Sequence, residues 1–300
     1  MLSFRFCAHL CSMYSLLKFL LGGIAMLPWS VLYLLSDFLF FIVYHVFWYR
    51  RKTVWRNLEA AFPDKKPEEL NELSIQFYRN FCDQIVETVK LLKTSPEEIS
   101  KRFAVDTTVY DKLHSEGRNV LQATSHQFNW EWGNWILNQH TQFHIRIIYM
   151  IQKNKAVERV VNDYRLKYGT ELVPANDLKA LMVDTDKPTM TVFLADQNPS
   201  ARKRALWLSF FGREVPFHKG LELLARRKGH AVVFDEIVRV KRGYYKSVSK
   251  LAFEDGSKTS EGEITQAYVQ FLEKSIKRQP ENWMWTHNRW KHARQPDGQS

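Results

Sequence analysis

The residues best suited to chemistry are His126 and Glu131, which lie five positions apart in a segment that also contains three tryptophans. Imidazole accepts a proton near neutral pH, and a neighbouring carboxylate fixes its tautomer and stabilises the imidazolium that forms. We therefore interpret His126 as a candidate general base that Glu131 orients. The sequence has no G-x-S-x-G elbow, and no cysteine lies near the pair. Without a protein nucleophile, such a pair would deprotonate a substrate hydroxyl, which then attacks an activated acyl group directly.

Two other interpretations of this pair are a metal site and a chance spacing in a partly buried position. Zinc is disfavoured because H-E-x-x-H and C-x-x-C are both absent and the other histidines are scattered. The predicted position of the pair, at a turn from a strand to a helix, argues against a chance spacing. Residues 120–123 predict a buried strand and residues 130–138 predict a helix, and α/β folds keep reactive groups at such turns. We expect no metal and no other cofactor.

The chain after residue 95 alternates short apolar runs with amphipathic segments, which is typical of a mixed, mostly parallel sheet flanked by helices. The predicted strands are residues 120–123, 144–149, 172–174, 189–195, 231–240 and 245–253, the last two as an edge hairpin. The predicted helices are residues 52–61, 67–93, 130–138, 156–168, 177–184, 220–228 and 261–278. The sequence thus predicts an α/β fold.

The N-terminal region is predicted to anchor the chain in a membrane. Residues 19–49 are uncharged except for Asp37, and such a stretch exceeds the roughly 20 apolar residues that span a bilayer. Pro28 divides this stretch. It could therefore form one tilted membrane span, a hairpin broken at Pro28, or a pair of buried helices in a soluble protein. The basic residues that follow, Arg50, Arg51, Lys52 and Arg56, place the body on the cytoplasmic side. We expect an anchor at 1–51, one catalytic domain at 52–294 and a polar tail at 295–300.

The net charge and the cysteine content indicate what kinds of partner the protein binds and in which cellular compartment it lies. The net charge of +11 favours anionic partners, which include nucleic acid, acidic lipid headgroups and an acidic carrier protein. The three cysteines have no metal spacing and indicate a reducing compartment.

Several blocks of the sequence, in order along residues 52–292, resemble a known family. The first surrounds the histidine and reads Ser125-His126-Gln127-Phe128-Asn129-Trp130-Glu131. The others are Arg56-Asn57-Leu58 with Phe62-Pro63, Arg165 with Gly169 and Val173-Pro174-Ala175, Asp196-Gln197, Phe210-Phe211-Gly212 with Val215-Pro216-Phe217 and Gly220, and the segment from Pro280 to Lys291. Together they are similar to the secondary acyltransferases of lipid A biosynthesis, of the lauroyl and myristoyl type, within the H-x4-D/E glycerolipid-type acyltransferases. Phe128 stands where that family often has glycine.

The resemblance implies roles for individual residues. His126 and Glu131 correspond to the catalytic pair, and Arg165 becomes a candidate to bind the acyl carbonyl or a phosphate, although its helix could also be a solvated basic face. Asp196 and Gln197 end an apolar strand, where ligand contacts often occur, or they simply begin a turn. Together with Asn129, these residues are the predicted substrate contacts.

The same resemblance implies an O-acyltransferase of the bacterial inner membrane with its catalytic domain facing the cytoplasm. The donor would be acyl carrier protein carrying an acyl thioester, and the acceptor an anionic glycolipid, namely the hydroxyl of a hydroxyacyl chain on a phosphorylated glucosamine disaccharide. One alternative keeps this chemistry on a lysophospholipid or a hydroxyacyl aminolipid. Another is a non-catalytic membrane protein that binds anionic lipid or nucleic acid, although no nucleic-acid motif is present.

Overall fold

The computed structural model describes residues 2–167, 169–177, 180–183 and 185–294, with side chains from Met13 onward. Two N-terminal helices, α1 (Leu2–Met26) and α2 (Trp29–Phe41), are separated at Pro28, and a π-helical turn extends the second. The segment Trp29–Val46 is long and apolar enough to cross a membrane, with a mean hydropathy of 1.6 and 17% of it buried. The predicted tail at 295–300 lies outside the described residues.

Helices α3 (Arg51–Ala61) and α4 (Pro67–Lys90) follow. Helix α4 packs against both N-terminal helices and is hydrogen-bonded to the sheet through Arg239 and Tyr245. Its apolar stripe faces the core at Leu70, Leu73 and Phe77. The stripe then shifts by one position, because Ile85 is 37% exposed whereas Val86 is buried. Cys82 is a free, fully buried thiol, in agreement with a packing role.

The rest of the chain forms an α/β body. Its remaining helices are α5 (Pro96–Ser100), α6 (Thr108–Ser115), α7 (Trp130–His140), α8 (Lys155–Leu166), α9 (Gly220–Lys228) and α10 (Glu263–Arg278). Its strands are β1 (Phe103–Ala104), β2 (Val120–Thr124), β3 (His144–Tyr149), β4 (Glu171–Pro174), β5 (Thr189–Leu194), β6 (Leu206–Phe210), β7 (Arg213–Phe217), β8 (Ala231–Lys241) and β9 (Tyr244–Phe253). The helix predicted at 177–184 is a 3-10 turn, Ala180–Met182, and its residues 178, 179 and 184 lie outside the described residues.

Among the described residues, seven strands form one sheet in the order β1-β9-β8-β2-β5-β3-β4. All neighbours are parallel except β8 and β9, which form the predicted antiparallel hairpin. The mixed, mostly parallel α/β fold is therefore confirmed. The ribbon β6–β7 is not among the predicted strands, because its aromatic residues suit the wall of a core as well as a strand.

The centre of the sheet creates a crevice. Strands β2 and β5 are parallel neighbours, with Thr124 opposite Leu194 in the ladder. The chain leaves β2 towards β3 on one side and leaves β5 towards β8 on the other. Ligands bind beyond the carboxyl ends of strands where the direction of the connections reverses in this way. The residues two positions beyond these strand ends are His126 and Asp196.

Candidate active site

The imidazole of His126 is held by Asp196. Its Nδ1 lies 2.6 Å from Asp196 Oδ1, and the backbone N–H of His126 donates to Asp196 Oδ2 at 3.0 Å. An ionised carboxylate only accepts hydrogen bonds, so Nδ1 carries the proton and Nε2 is the acceptor. The parallel register of β2 and β5 produces this contact, because each residue follows its strand by the same two positions.

Asp196 is fixed and ionised although it is only 1% exposed. The indole N–H of Trp283 donates to Oδ2 at 2.8 Å, beside the bond from the backbone of His126. Burial favours the neutral acid, but the adjacent His126 and these donors outweigh burial and lower the pKa of Asp196 to about 2. The carboxylate therefore stays charged and holds the imidazole in one tautomer throughout the physiological range.

The predicted contact between Glu131 and His126 is corrected by this geometry. Glu131 is buried and forms a two-pronged ion pair with Arg165, whose Nε donates to Oε2 at 3.0 Å while Nη2 donates to Oε1. The indole of Trp130 also donates to Oε1, at 3.2 Å. Glu131 lies in the first turn of α7, and the helix projects it towards α8, which carries Arg165. Burial opposes the charge on Arg165, but Glu131 outweighs it and raises the pKa of the guanidinium.

The two pairs meet at a cleft of about 500 Å³ at the carboxyl edge of the sheet. Four of the predicted site residues line it, namely His126, Glu131, Arg165 and Gln197. The side chain of His126 is 18% exposed, so the imidazole reaches the cleft while Asp196 lies behind it. Apolar residues complete the walls, among them Ile148, Leu181, Phe193 and Leu221. An apolar cleft with a few convergent polar groups is the usual form of a site for a small molecule or an acyl chain.

Asn129 occupies a different position from the one predicted. It is fully buried, and its Nδ2 donates to the carboxylate of Glu87 on α4, so it is not a wall of the cleft. The same carboxylate accepts hydrogen bonds from Tyr33 at 2.9 Å and Tyr245 at 2.8 Å. The expectation of a substrate contact from Asn129 is therefore corrected, and Asn129 instead ties the start of α7 to α4.

Phe128 is explained by packing. Its side chain is fully buried and stacks on Phe77 of α4, with ring centroids 5.9 Å apart. Its backbone N–H donates to the carbonyl of Asn282 at 3.1 Å. A large side chain is therefore accommodated below the motif, on the side away from the cleft.

The C-terminal segment supports the loop that carries Asp196. His287 Nε2 accepts a hydrogen bond from the backbone N–H of Asn198 at 3.2 Å, and burial lowers the pKa of His287 to about 4, so the ring is neutral. Arg289, which is fully buried, donates to the Asn198 side chain and, at 2.9 Å, to the Pro216 carbonyl. His287 and Arg289 therefore form a structural cluster behind the loop and are not among the residues that line the cleft.

Sequence reasoning missed Trp283 and Glu87 as parts of the site. Trp283 lies in a block that had been recognised, but nothing in the sequence indicates that its indole reaches Asp196. Glu87 is fully buried in the last turn of α4, and a single acidic residue in an amphipathic helix gives no signal of that burial. Within the described parts of the chain, no group of three or more His, Cys, Asp or Glu side chains is placed to hold a metal ion.

The fold and the site define an α/β protein with a histidine–carboxylate pair at the ends of adjacent strands. A comparison with protein families matches residues 6–292 to the bacterial lipid A biosynthesis acyltransferases, and the chain belongs to that family. It is thus an acyltransferase of lipid A biosynthesis, and the non-catalytic interpretation is wrong.

Individual relatives agree with this assignment. The chain is 25% identical over 247 residues to the lipid A biosynthesis palmitoleoyltransferase of Escherichia coli (strain K12), covering 81% of this chain and 79% of the relative. It is 22% identical over 274 residues to the lipid A biosynthesis lauroyltransferase of the same organism, covering 89% and 88%. A lipid A biosynthesis acyltransferase of Shigella flexneri matches at 25% over 247 residues, covering 81% and 79%. The resemblance inferred from the sequence motifs is confirmed.

Proposed function

We propose that the chain moves a fatty acyl group from acyl-acyl carrier protein to a hydroxyl of a lipid A precursor, with His126 as general base. The observation that carries this proposal is the 2.6 Å contact between His126 Nδ1 and Asp196, which leaves Nε2 as the proton acceptor of a ring that lines the cleft. Asp196 takes the orienting role first assigned to Glu131.

The reaction is a direct transfer. Nε2 takes the proton of the acceptor hydroxyl as its oxygen attacks the thioester carbonyl, and Asp196 stabilises the imidazolium that forms. The tetrahedral intermediate collapses, the carbon–sulfur bond breaks, and the imidazolium returns its proton to the sulfur. The products are an ester and a free thiol, and the enzyme is not acylated.

Arg165 and Glu131 act on the carbonyl side of this reaction. Two nitrogens of the Arg165 guanidinium are bound to Glu131, while Nη1 is outside that pair and Arg165 lines the cleft. Glu131 thus sets the direction of a positive group that stabilises the carbonyl oxygen as it becomes negative. Well-placed donors of this kind lower a barrier by a few kcal/mol.

The lipid acceptor enters from the side of the N-terminal helices. Met150, a wall of the cleft, is 63% exposed, and Leu166 on α8 is 52% exposed. Helix α8 is joined to α1 by the bond from Tyr14 to Asp163 at 2.6 Å, and Phe19 on α1 is 78% exposed. Exposed apolar side chains on neighbouring elements are typical of membrane contact. The proposed location is the cytoplasmic face of the bacterial inner membrane.

The test offers labelled acyl-acyl carrier protein to the detergent-purified chain with a lipid A precursor, a lysophospholipid or a hydroxyacyl aminolipid. The account predicts transfer to the lipid A precursor, and a loss of about 10³-fold in kcat for His126→Ala. His140→Ala is the matched control, because His140 is exposed at the end of α7 and bonded to Ser100. Equal rates for wild type and His126→Ala would refute the role of His126 as general base. Preferred transfer to the lysophospholipid or the aminolipid would refute the lipid A precursor as the acceptor.

A further inference from the structure

The rim of the cleft has two chemically different sides. The exposed apolar residues Met150, Ile151, Val157 and Leu166 follow β3, and we call them the apolar rim. The exposed cations Arg202, Lys203, Arg204 and Lys291 lie on the segments that follow β5 and close the chain, and we call them the basic rim. The basic rim begins two residues after Ser200, which lines the cleft.

The basic rim is one connected surface built from two segments. Residues 197–205 and 282–294 contain no aspartate or glutamate. Asn198 joins them, since its side chain donates to the Asn288 carbonyl at 2.9 Å. A second link joins Arg202 Nη1 to His292 Nδ1 at 3.0 Å. Distant parts of the chain are therefore held together although both are positively charged.

The positive charge of the basic rim is not neutralised within the described residues. None of Arg202, Lys203, Arg204 and Lys291 takes part in the salt bridges found there, whereas the neighbouring Arg294 is paired with Glu214. Loss of hydration and then the charges of Arg202 and Lys291 lower the pKa of His292. The surface is thus suited to bind an anion, because the fold brings its cations together without placing carboxylates beside them.

The kind of anion follows from what surrounds the basic rim. None of the large apolar side chains exposed in the described chain lies in residues 197–205 or 282–294. A membrane-binding surface combines cations with exposed apolar groups, as α1 does with Lys18 and Phe19. A purely charged surface at the mouth of a cleft suits a water-soluble acidic protein, which it attracts by long-range electrostatics.

We propose that the basic rim docks the acidic carrier protein that delivers the acyl thioester, so that donor and lipid acceptor enter the cleft from different sides. This inference rests on the proposed function and adds the surface that recognises the donor. The thioester reaches His126 past Ser200 and Gln197, while the carrier stays outside on the cations.

The test uses the full chain in detergent with Arg202→Glu, Lys203→Glu and Arg204→Glu combined. We expect the KM for acyl-acyl carrier protein to rise at least about tenfold with kcat little changed, since rim charges act mainly on association. Titration of fluorescently labelled carrier protein should show the same loss of binding. With acyl-pantetheine, the same thioester without the protein, kcat/KM should stay within about twofold of wild type, because the cleft itself is intact.

The control variant combines Lys246→Glu, Lys250→Glu and Lys258→Glu, an equal charge change at exposed positions on and after β9. The docking surface is refuted if both triple variants weaken carrier binding equally. It is also refuted if the Arg202–Arg204 variant instead raises the KM for the lipid acceptor or weakens binding to anionic vesicles. Lys203→Glu alone serves if the triple variant unfolds. A wild type that binds carrier but transfers from neither thioester would refute the proposed function and leave the docking surface standing.

Discussion

The two side-chain pairs at the cleft each contain a buried carboxylate, but they differ in partner and in origin. Asp196 and His126 follow adjacent parallel strands and are brought together by the register of the sheet. Glu131 and Arg165 lie on successive helices, α7 and α8, and meet across the helix pair. The first pair is set by the ladder of the central sheet, and the second by helix packing.

This difference shows that spacing along the chain does not decide which carboxylate orients the histidine. Glu131 is five positions from His126 and Asp196 is 70, yet the hydrogen bond to Nδ1 comes from Asp196. A side chain at a strand end is positioned by the hydrogen bonds of its strand to the neighbouring strands. A side chain in the first turn of a helix points in a direction that the orientation of the helix determines. We therefore expect the two carboxylates to respond differently to substitution.

Asp196→Asn breaks the strand-end pair and should have the largest effect on catalysis. An asparagine side chain can bind the imidazole in the wrong tautomer, and in a well-studied serine protease the corresponding change lowers kcat about 10⁴-fold. We expect a loss of about 10³- to 10⁴-fold in kcat, with the KM for the acyl thioester little changed. Steady-state kinetics with the lipid A precursor measure this, and a loss below tenfold would contradict the assignment.

Phe128→Ala tests the turn that lies between His126 and Glu131, because the buried side chain of Phe128 anchors this turn in the core. Removing a fully buried phenylalanine should cost about 3–4 kcal/mol of unfolding free energy. Phe128→Leu is the matched control and should cost less, since it keeps most of the volume. Denaturant unfolding in detergent, followed by tryptophan fluorescence, gives both values. Similar stability for Phe128→Ala and wild type would show that the side chain is not part of the core.

Glu131→Gln weakens the helix–helix pair and should have a smaller effect. The guanidinium of Arg165 loses its ionic partner and shifts, and small misplacements of a positioning group lower rates up to about 10²-fold. We expect kcat to fall about 10- to 100-fold. If Glu131→Gln were as damaging as Asp196→Asn, the distinction between the pairs would be lost.

Asp235 provides a buried carboxylate without a cation, and it sharpens the contrast with Asp196. It accepts hydrogen bonds from Ser247 and, at 2.7 Å, Ser249, but burial raises the pKa of Asp235 to about 6. A raised folded-state pKa means that the contribution to stability is complete below about pH 4 and is lost as the pH rises towards 6.

A rise in the pKa of Asp235 to about 6 corresponds to roughly 2–3 kcal/mol. The wild type should therefore lose about that much stability between pH 4 and pH 7 from this group. Asp235→Asn, which resembles the protonated acid, should remove this part of the pH dependence. Thermal unfolding from pH 4 to pH 8 compares the two, and parallel curves would show that Asp235 ionises normally.

The secondary structure of the body was largely predictable because its strands are short apolar runs between amphipathic helices. The hairpin β8–β9 and the strand β5 were found within a residue or two of their observed ends. The ribbon β6–β7 was not found, since its aromatic residues suit a core wall as well as a strand. Helix α1 begins well before the uncharged stretch, because hydropathy marks the apolar part of a helix rather than its start.

The residues of the site were more predictable than the hydrogen bonds that join them. His126, Glu131, Arg165 and Gln197 were named from motifs, and all four line the cleft. The partner of His126 was misassigned because strand order is a long-range property, and no local pattern indicates that β5 lies beside β2. The burial of Asn129 depends likewise on α4, a separate helix.

A double-mutant cycle with His126→Ala tests the central claim most directly. Residues that act as one unit are strongly non-additive, so a second substitution in the same unit costs little. Single-turnover rates with acyl-acyl carrier protein and lipid A precursor are measured for His126→Ala alone, with Asp196→Asn and with Glu131→Gln. The account predicts that Asp196→Asn adds less than about twofold to the loss, whereas Glu131→Gln keeps its full effect. A full additional loss from Asp196→Asn, together with none from Glu131→Gln, would show that Glu131 orients the base.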